Sequence, residues 1–349
     1  MLTGKGVLIT GGSGSLARVL LRRLLAGDLG EPARIRIFSR DEAKQHDLRL
    51  TYQHRHVATD EVIYHNYDRA VQFQIGDIRD ADSIRTALDG IHVVFNTAAM
   101  KQVPTCEYFP YEAVQTNIVG VENLVHAIRG GSDVETVVGI STDKACNPVN
   151  VMGMTKALQE RLLVRANVDR PATRFVCVRY GNVLASRGSV IPLFLDQIRR
   201  GGPLTLTTPE MTRFLLSLEE AVDVIFEALR GANPGEIYVP TVASARIVDV
   251  ADVLIGDRDI ERVFTGIRPG EKVHEVLVSG EEAPRTTWRK EHYVVTPLLP
   301  ELRTADFEPL ADAEVSSGTD PLSKDGVREL LERHGLTTGG QLVAEDLHR

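Results

Sequence analysis

The sequence predicts an α/β protein, a doubly wound parallel sheet with a smaller C-terminal substrate-binding lobe. Three observations point there. Short apolar runs of buried-strand length alternate with helical stretches through the first half of the chain. A glycine turn, Gly11-Gly12-Ser13-Gly14, stands between the first apolar run and the first helix. After Tyr180 the alternation gives way to glycine-rich loops and shorter elements.

The first strand is Val7-Leu8-Ile9-Thr10, and the first helix runs from Arg18 to Leu25. Gly11 permits the tight turn, Gly14 lets the backbone approach a pyrophosphate, and Ala17 keeps the helix close to the sheet, so the helix N-terminus faces phosphates. Gly11, Ser13, Gly14, Ser15 and Leu16 are therefore candidate dinucleotide contacts, with a purely structural turn as the alternative. The second strand, Ile35 to Phe38, ends in Ser39-Arg40, where an acid would serve the ribose hydroxyls of NAD. Arg40 suits a 2′-phosphate and favours NADP over NAD; a solvated surface arginine beside Asp41 and Glu42 is the plainer reading.

From Gln45 to Arg69 the chain is a polar excursion with His54, His56 and His65 at no metal-ligand spacing, so no metal is expected. The third strand, Val71 to Ile75, closes with Gly76-Asp77-Ile78, where Asp77 meets an adenine or caps the next helix. His92 to Asn96 forms the fourth strand, and Thr97-Ala98-Ala99 supplies small residues, suited to a cofactor path around Ala98 or to helix packing. Lys101-Gln102-Val103-Pro104 leaves the carboxyl end of the sheet as a substrate-contact candidate. Asn117 and Asn123 are ordinary polar positions or part of a buried water network.

The fifth strand, Thr136 to Ile140, delivers Ser141-Thr142-Asp143-Lys144 to the edge where open α/β sheets bind ligands. Met152 and Lys156 follow on one face of a helix that runs to about Ala166, and Gly153 between them allows close approach of a ligand or another backbone. A hydroxyl, an acid and two amines thus fall together, and the chemistry is placed here. Thr173 to Val178 is the sixth strand.

The expected division is a cofactor-binding domain of residues 1–180 plus about 214–240, and a substrate lobe of 181–213 plus about 241–335. Ser217 begins a capped helix, and Ile237-Tyr238-Val239 returns as a sheet-edge strand. The turn Gly266 to Lys272 is suited to clamp a diphosphate, Leu302 to Pro321 reads as loop, and a last helix is capped by Ser323 and closed by Gly335.

Net charge of −8 and an isoelectric point near 5.7 argue against a nucleic-acid surface. The cysteines, Cys106, Cys146 and Cys177, are odd in number and not in ligand spacing, which fits reduced thiols in a cytoplasmic protein. Neither a signal peptide nor an apolar run of about 18 residues is present, so no membrane span is expected.

On these residues the sequence resembles the extended short-chain dehydrogenases/reductases, and within them the nucleotide-sugar 4,6-dehydratase/5-epimerases of bacterial polysaccharide biosynthesis. The likeness rests on Thr10 to Ala17, Phe38 to Glu42, Gly76 to Asp80, Lys101 to Pro104, Ser141 to Lys144, Arg179 to Asn182, Arg187 to Pro192 and the Arg268 turn. It is nearest to the capsule-type UDP-N-acetylglucosamine 4,6-dehydratases that invert carbon 5. The resemblance implies a Rossmann-type sheet, NADP, and a homo-oligomer of up to six copies. It also implies substrate contacts from Lys101, Asn182, Arg187, Ser189, Arg213, Arg268 and Glu271. One departure stands out. Most short-chain dehydrogenases carry Tyr-x-x-x-Lys, and this chain has Met152 before Lys156, a version that the resemblance places in the capsule-type and membrane-anchored branches.

The reaction implied is hydride removal from sugar carbon 4, loss of the carbon 5 proton to Lys144, departure of the carbon 6 hydroxyl protonated by Asp143, and hydride return to carbon 6. Lys156 would hold the nicotinamide ribose and Thr142 would orient the carbon 4 hydroxyl, whose proton acceptor is unassigned. Lysine ordinarily titrates at roughly 10.4, so the expectation is a depressed Lys144 and a raised Asp143. Two other readings fit these residues: another nucleotide-sugar enzyme, either a 4-epimerase or a 5,6-dehydratase, and a non-catalytic NADP-binding regulator.

Overall fold

The computed structural model describes residues 1–53, 67–184, 189–303, 308–309 and 314–337. Its central element is a nine-stranded sheet. Strands β1 (Gly6–Thr10), β2 (Arg34–Ser39), β3 (Val71–Ile75), β4 (Val93–Asn96), β5 (Thr136–Ile140) and β6 (Arg174–Val178) lie parallel in the order β3-β2-β1-β4-β5-β6. The order reverses at β1, so the crevice between the carboxyl ends of β1 and β4 is where such a sheet receives a ligand.

Each strand sends alternate residues to opposite layers, because successive side chains point to opposite faces. Val7 and Ile9 of β1 join Phe95, Val138 and Val176 in one core, packed by Leu20, Leu21 and Leu24 of the helix Ser15–Leu25 and by Val222, Ile225 and Leu229 of the helix Leu218–Gly231. Leu8, Val94, Val137 and Phe175 face the other core, under Val121, Leu124 and Ile128 of the helix Gly120–Arg129 and Leu163 of the helix Val151–Asp169. Every such leucine or isoleucine removed from water contributes about 1.5–3 kcal/mol. That two-sided burial explains why these strands read as continuous apolar runs.

After β6 the chain leaves the sheet for β7 (Asn182–Val183), β8 (Leu204–Leu206) and β9 (Thr212–Leu216), then returns as β10 (Ile237–Pro240), parallel to β6. It departs again for β11 (Ser244–Arg246), β12 (Arg262–Phe264) and β13 (Val276–Val278). A second return is the hairpin β14 (Thr286–Arg289) and β15 (His292–Val295), with β15 antiparallel to β10. Ile237-Tyr238-Val239 is therefore internal rather than an edge, since β10 is buried throughout and its outer side needs a partner. The hairpin, which the sequence division assigns to the lobe, is hydrogen-bonded into the large sheet. Residues Val315–Ser316 form β16 against β13 where loop was expected.

The lobe has its own apolar core of Ile191, Phe194, Leu204, Leu215, Val250, Leu254, Val327 and Leu331. Strand β9 stitches it to the sheet: Leu215 enters the lobe core, Phe214 and Leu216 the two sheet cores. The Ser217 side chain caps the following helix in a reciprocal box with Glu220. The final helix, Lys324–Arg333, starts at the Ser323 cap, and Gly335 follows at φ +64°. Among the described residues no helix is long and apolar enough to cross a membrane.

Candidate active site

A cleft of 1410 Å³ opens along the carboxyl ends of β1 to β6 and is closed on its far side by the lobe turn at Arg268, Pro269 and Glu271. At its cofactor end Gly11 has φ +63°, and a Cβ there would stand 2.8 Å from the Ala98 Cα. The helix that follows starts at Gly14 with no side-chain cap, so its first-turn amides face the cleft. Thr10 Oγ1 donates to Asn96 Oδ1 at 2.7 Å and accepts from the Ala98 amide at 3.3 Å, which locks the two strand ends on either side of the crevice. This cradle fits a dinucleotide pyrophosphate.

Ser39 and Arg40 follow β2 along the cleft wall. Ser39 is buried and accepts from Gln45 Nε2, whereas the Arg40 side chain is 59% exposed and reaches Asp77 Oδ2 at 3.6 Å. Asp77 does not cap the next helix; Asp80 does, accepting from the Asp82 and Ser83 amides. Asp77 instead binds Arg79, which outweighs burial and holds its carboxyl below the ordinary range.

The turn that follows β5 is pinned by backbone. Ser141 and Asp143 donate to the Val178 and Tyr180 carbonyls at 2.7 and 3.0 Å, and residues Asp143–Ala145 make one tight turn. Thr142, Lys144, Met152 and Lys156 line the cleft. Asp143 is fully buried, and its Oδ1 accepts from Thr142 Oγ1 at 2.8 Å and Lys144 Nζ at 3.0 Å. Its Oδ2 has no partner among the described residues. Gly153 serves approach by another backbone: a Cβ there would overlap the Lys144 carbonyl oxygen.

The two lysines differ sharply. Burial pushes the Lys156 amine down to about 8, and it donates to the Ile140 carbonyl and to Gln159 Oε1 at 2.6 Å. Lys144 goes the other way: burial is outweighed by the carboxylates of Asp143 and Glu275, and its amine lies above the ordinary range. The expected depression of Lys144 is corrected here, because Asp143 Oδ1 at 3.0 Å and Glu275 Oε1 at 3.3 Å both face Nζ. Met152 packs with Cys106 and Ala113 in a small apolar cluster, where a thioether fills space and moves no proton.

Residues 7–297 match the family described as polysaccharide biosynthesis protein. The chain belongs to this family. It is 40% identical over 343 residues to a UDP-glucose 4-epimerase of Rickettsia conorii, across 95% of this chain and 96% of that protein. Among solved structures, Pen from Bacillus thuringiensis superposes with a TM-score of 0.85 at 32% identity, covering 96% of this chain and 99% of that one. A dTDP-glucose 4,6-dehydratase of Streptomyces venezuelae, solved with NAD bound, superposes at 0.64 with 20% identity over 96% and 99% of the two chains, a likeness of fold. This polysaccharide biosynthesis protein thus has the extended short-chain dehydrogenase/reductase fold, among nucleotide-sugar epimerases and dehydratases.

Within this member of the family, Gly11, Ser13, Gly14, Ser15, Leu16, Ser39, Arg40, Asp77, Ile78, Ala98, Lys101, Asn182, Ser189, Arg268 and Glu271 all line the same cleft. Asn182 Oδ1, Ser189 Oγ and Glu271 Oε2 are buried without partners among the described residues, polar capacity left for a ligand. Arg213 departs from expectation. It does not line the cleft, and its guanidinium donates to the Thr212 and Val273 carbonyls at 2.7 and 3.1 Å. Arg187, His54, His56 and His65 lie outside the described residues.

Asn117 and Asn123 clamp backbone. Asn117, on an irregular turn at Gln115–Val119, bonds both backbone groups of Met100 and Thr155 Oγ1. Asn123 donates to the Ile78 and Arg79 carbonyls. Sequence reasoning missed Glu275, Glu160 and Glu282. The available signal was an acid embedded in or beside an apolar run, as in Glu275-Val276-Leu277-Val278.

Proposed function

We propose that this protein is an NADP-dependent UDP-N-acetylglucosamine 4,6-dehydratase that inverts carbon 5, giving a 4-keto-6-deoxy sugar nucleotide for a surface polysaccharide or related glycoconjugate. The observation that carries the reading is the Thr142-Asp143-Lys144 constellation, an acid and an amine 3.0 Å apart beside the cleft. Hydride exchange at carbon 4 alone needs no such pair. Elimination across carbons 5 and 6 needs both.

Bound in the cleft, NADP supplies a hydride acceptor that later returns the hydride. The first-turn amides after Gly14 face its pyrophosphate, and Arg40 offers a cation to a 2′-phosphate. Lys156 holds the nicotinamide ribose and adds positive field. Thr142 orients the carbon 4 hydroxyl, and its own hydroxyl is held by Asp143 Oδ1. Asp143 protonates the departing carbon 6 hydroxyl, and Lys144 as free amine takes the proton from carbon 5. Met152 is a packing residue in this scheme. Lys101, Asn182, Ser189, Arg268 and Glu271 line the volume left for the UDP-sugar, and the assembly is a homo-oligomer.

A 4-epimerase is the second reading, favoured by the names of the Rickettsia relatives. The deciding experiment is mass spectrometry of UDP-N-acetylglucosamine incubated with the enzyme in deuterium oxide. Loss of one water with one deuterium gained at carbon 5 supports dehydration, and NMR then reads the inversion. An isomer of unchanged mass supports epimerisation, and an untouched sugar with NADP bound would favour a regulator.

A further inference from the structure

Lys144 has a second carboxylate neighbour that the reaction scheme leaves unused. Glu275 lies just ahead of β13 and is 2% exposed, absent from the cleft lining, and 3.3 Å through Oε1 from Lys144 Nζ. Its Oε2 has no hydrogen-bond partner among the described residues. Its amide donates to Ser317 Oγ at 2.9 Å, and that hydroxyl also meets Thr212 Oγ1, so the backbone that carries the acid is fixed.

We propose that Glu275 is a positioning residue whose fixed negative charge sets the basicity of Lys144. The inference rests on the dehydratase reading for the step it serves. Facing Lys144 are Asp143 on its own turn, Glu275 from the lobe and Arg213 from β9; facing Glu275 are Lys144, Arg213 at 3.9 Å and Lys272 at 4.0 Å. His274 beside it is engaged by Thr212 Oγ1. Three cations thus stand around this one buried acid, which is held in place as their shared counter-charge.

The elimination across carbons 5 and 6 then balances. At rest Lys144 is an ammonium between two carboxylates. Passing one proton across the 3.0 Å contact to Asp143 Oδ1 creates the free amine and the carboxylic acid together. The amine next takes the carbon 5 proton while the C–H electron pair moves into conjugation with the carbon 4 ketone. The acid gives its proton to the leaving carbon 6 oxygen as that C–O bond breaks. Glu275 stabilises the ammonium that forms as the amine takes the carbon 5 proton, where positive charge develops. Glu275 reaches Lys144 from the lobe, so the strength of the base depends on how the lobe is seated.

The test is competitive acetylation of the full chain with acetic anhydride, with NADP present and absent, across pH, reading the Lys144 peptide by mass spectrometry. Glu275→Gln lowers the midpoint of Lys144 labelling by about one unit or more. The same variant loses about tenfold to a hundredfold in kcat with KM little changed, and Glu275→Asp recovers part of both. An unchanged Lys144 midpoint in Glu275→Gln overturns the proposal, and should that variant fail to fold, Glu275→Asp carries the same comparison. The labelling reads the amine without any sugar. A shifted midpoint with no sugar turned over rejects the dehydratase and leaves the Glu275 effect standing; turnover with an unshifted midpoint does the reverse.

Discussion

Arg179 and Glu160 meet through two hydrogen bonds of 3.0 and 2.7 Å with both side chains sealed from solvent. The same guanidinium binds Glu282 at 2.6 and 3.0 Å and the Leu277 carbonyl at 2.9 Å. Glu160 also accepts from Ser141 Oγ at 2.6 Å, so the network ends one residue from the catalytic turn.

Removing its centre leaves Glu160 buried without an ion-pair partner among the described residues and Glu282 with Arg285 alone. Arg179→Met destabilises the protein by about 3–5 kcal/mol, read from the urea midpoint. A double replacement of Arg179→Met with Glu160→Leu recovers part of that loss, because the unpaired buried carboxylate is then absent while Glu282 keeps Arg285. No recovery would mean that the network contributes more than mutual neutralisation.

Gly153→Ala places a methyl group against the Lys144 carbonyl and pushes the catalytic turn away from its helix. The expected loss in kcat is about a hundredfold, with cofactor affinity retained, since a displacement of one ångström at a reacting group costs that much. Steady-state kinetics and NADP titration separate the two effects.

Met152→Leu conserves volume in the cluster with Cys106 and Ala113, costs under about 1.5 kcal/mol and keeps turnover. Met152→Tyr overfills the same space, costs about 1–3 kcal/mol and does not speed dehydration. A faster Met152→Tyr enzyme would show that a proton acceptor at this position limits the native reaction.

Lys156 carries a pH signature. Its folded value of about 8 lies below the unfolded 10.5, so between these values the unfolded chain binds more protons and this group's contribution to stability rises with pH. Lys156→Met is inactive yet more stable than wild type at pH 7, by on the order of 3 kcal/mol before the lost hydrogen bonds are counted. The gap closes as pH climbs from about 8 toward about 10.5, which denaturant melts at several pH values measure.

Arg40→Ala weakens NADP by about tenfold to a hundredfold and leaves NAD unchanged in calorimetric titration, the effect of deleting one charged partner of a 2′-phosphate. Equal affinities of the native enzyme for the two cofactors would remove the basis for NADP.

The glycine turn, the buried strands and the Ser141 to Lys156 stretch were legible because each is a local pattern, with period 2 or 3.6 or a fixed spacing. Long-range pairing was not. Glu282 stands 103 residues from Arg179, and Glu275 comes from the lobe to Lys144, so the charge state of Lys144 was inferred with its second carboxylate out of view. Of the two alternatives for Asp77, adenine contact or helix cap, the cap fails because Asp80, three residues on, accepts from the first-turn amides. Arg213 reads as a ligand contact in sequence and is consumed by two backbone carbonyls in the fold.

The chain leaves the large sheet and re-enters it twice, last through the hairpin that ends at Val295. The cofactor half is consequently not finished until most of the lobe has been synthesised. A ribosome that has delivered only the first 240 residues holds a sheet whose β10 flank lacks its neighbour, an open template for pairing with another nascent chain. The two halves are thereby bound into one unit of synthesis and of inheritance, and neither can be exchanged between relatives by a single crossover.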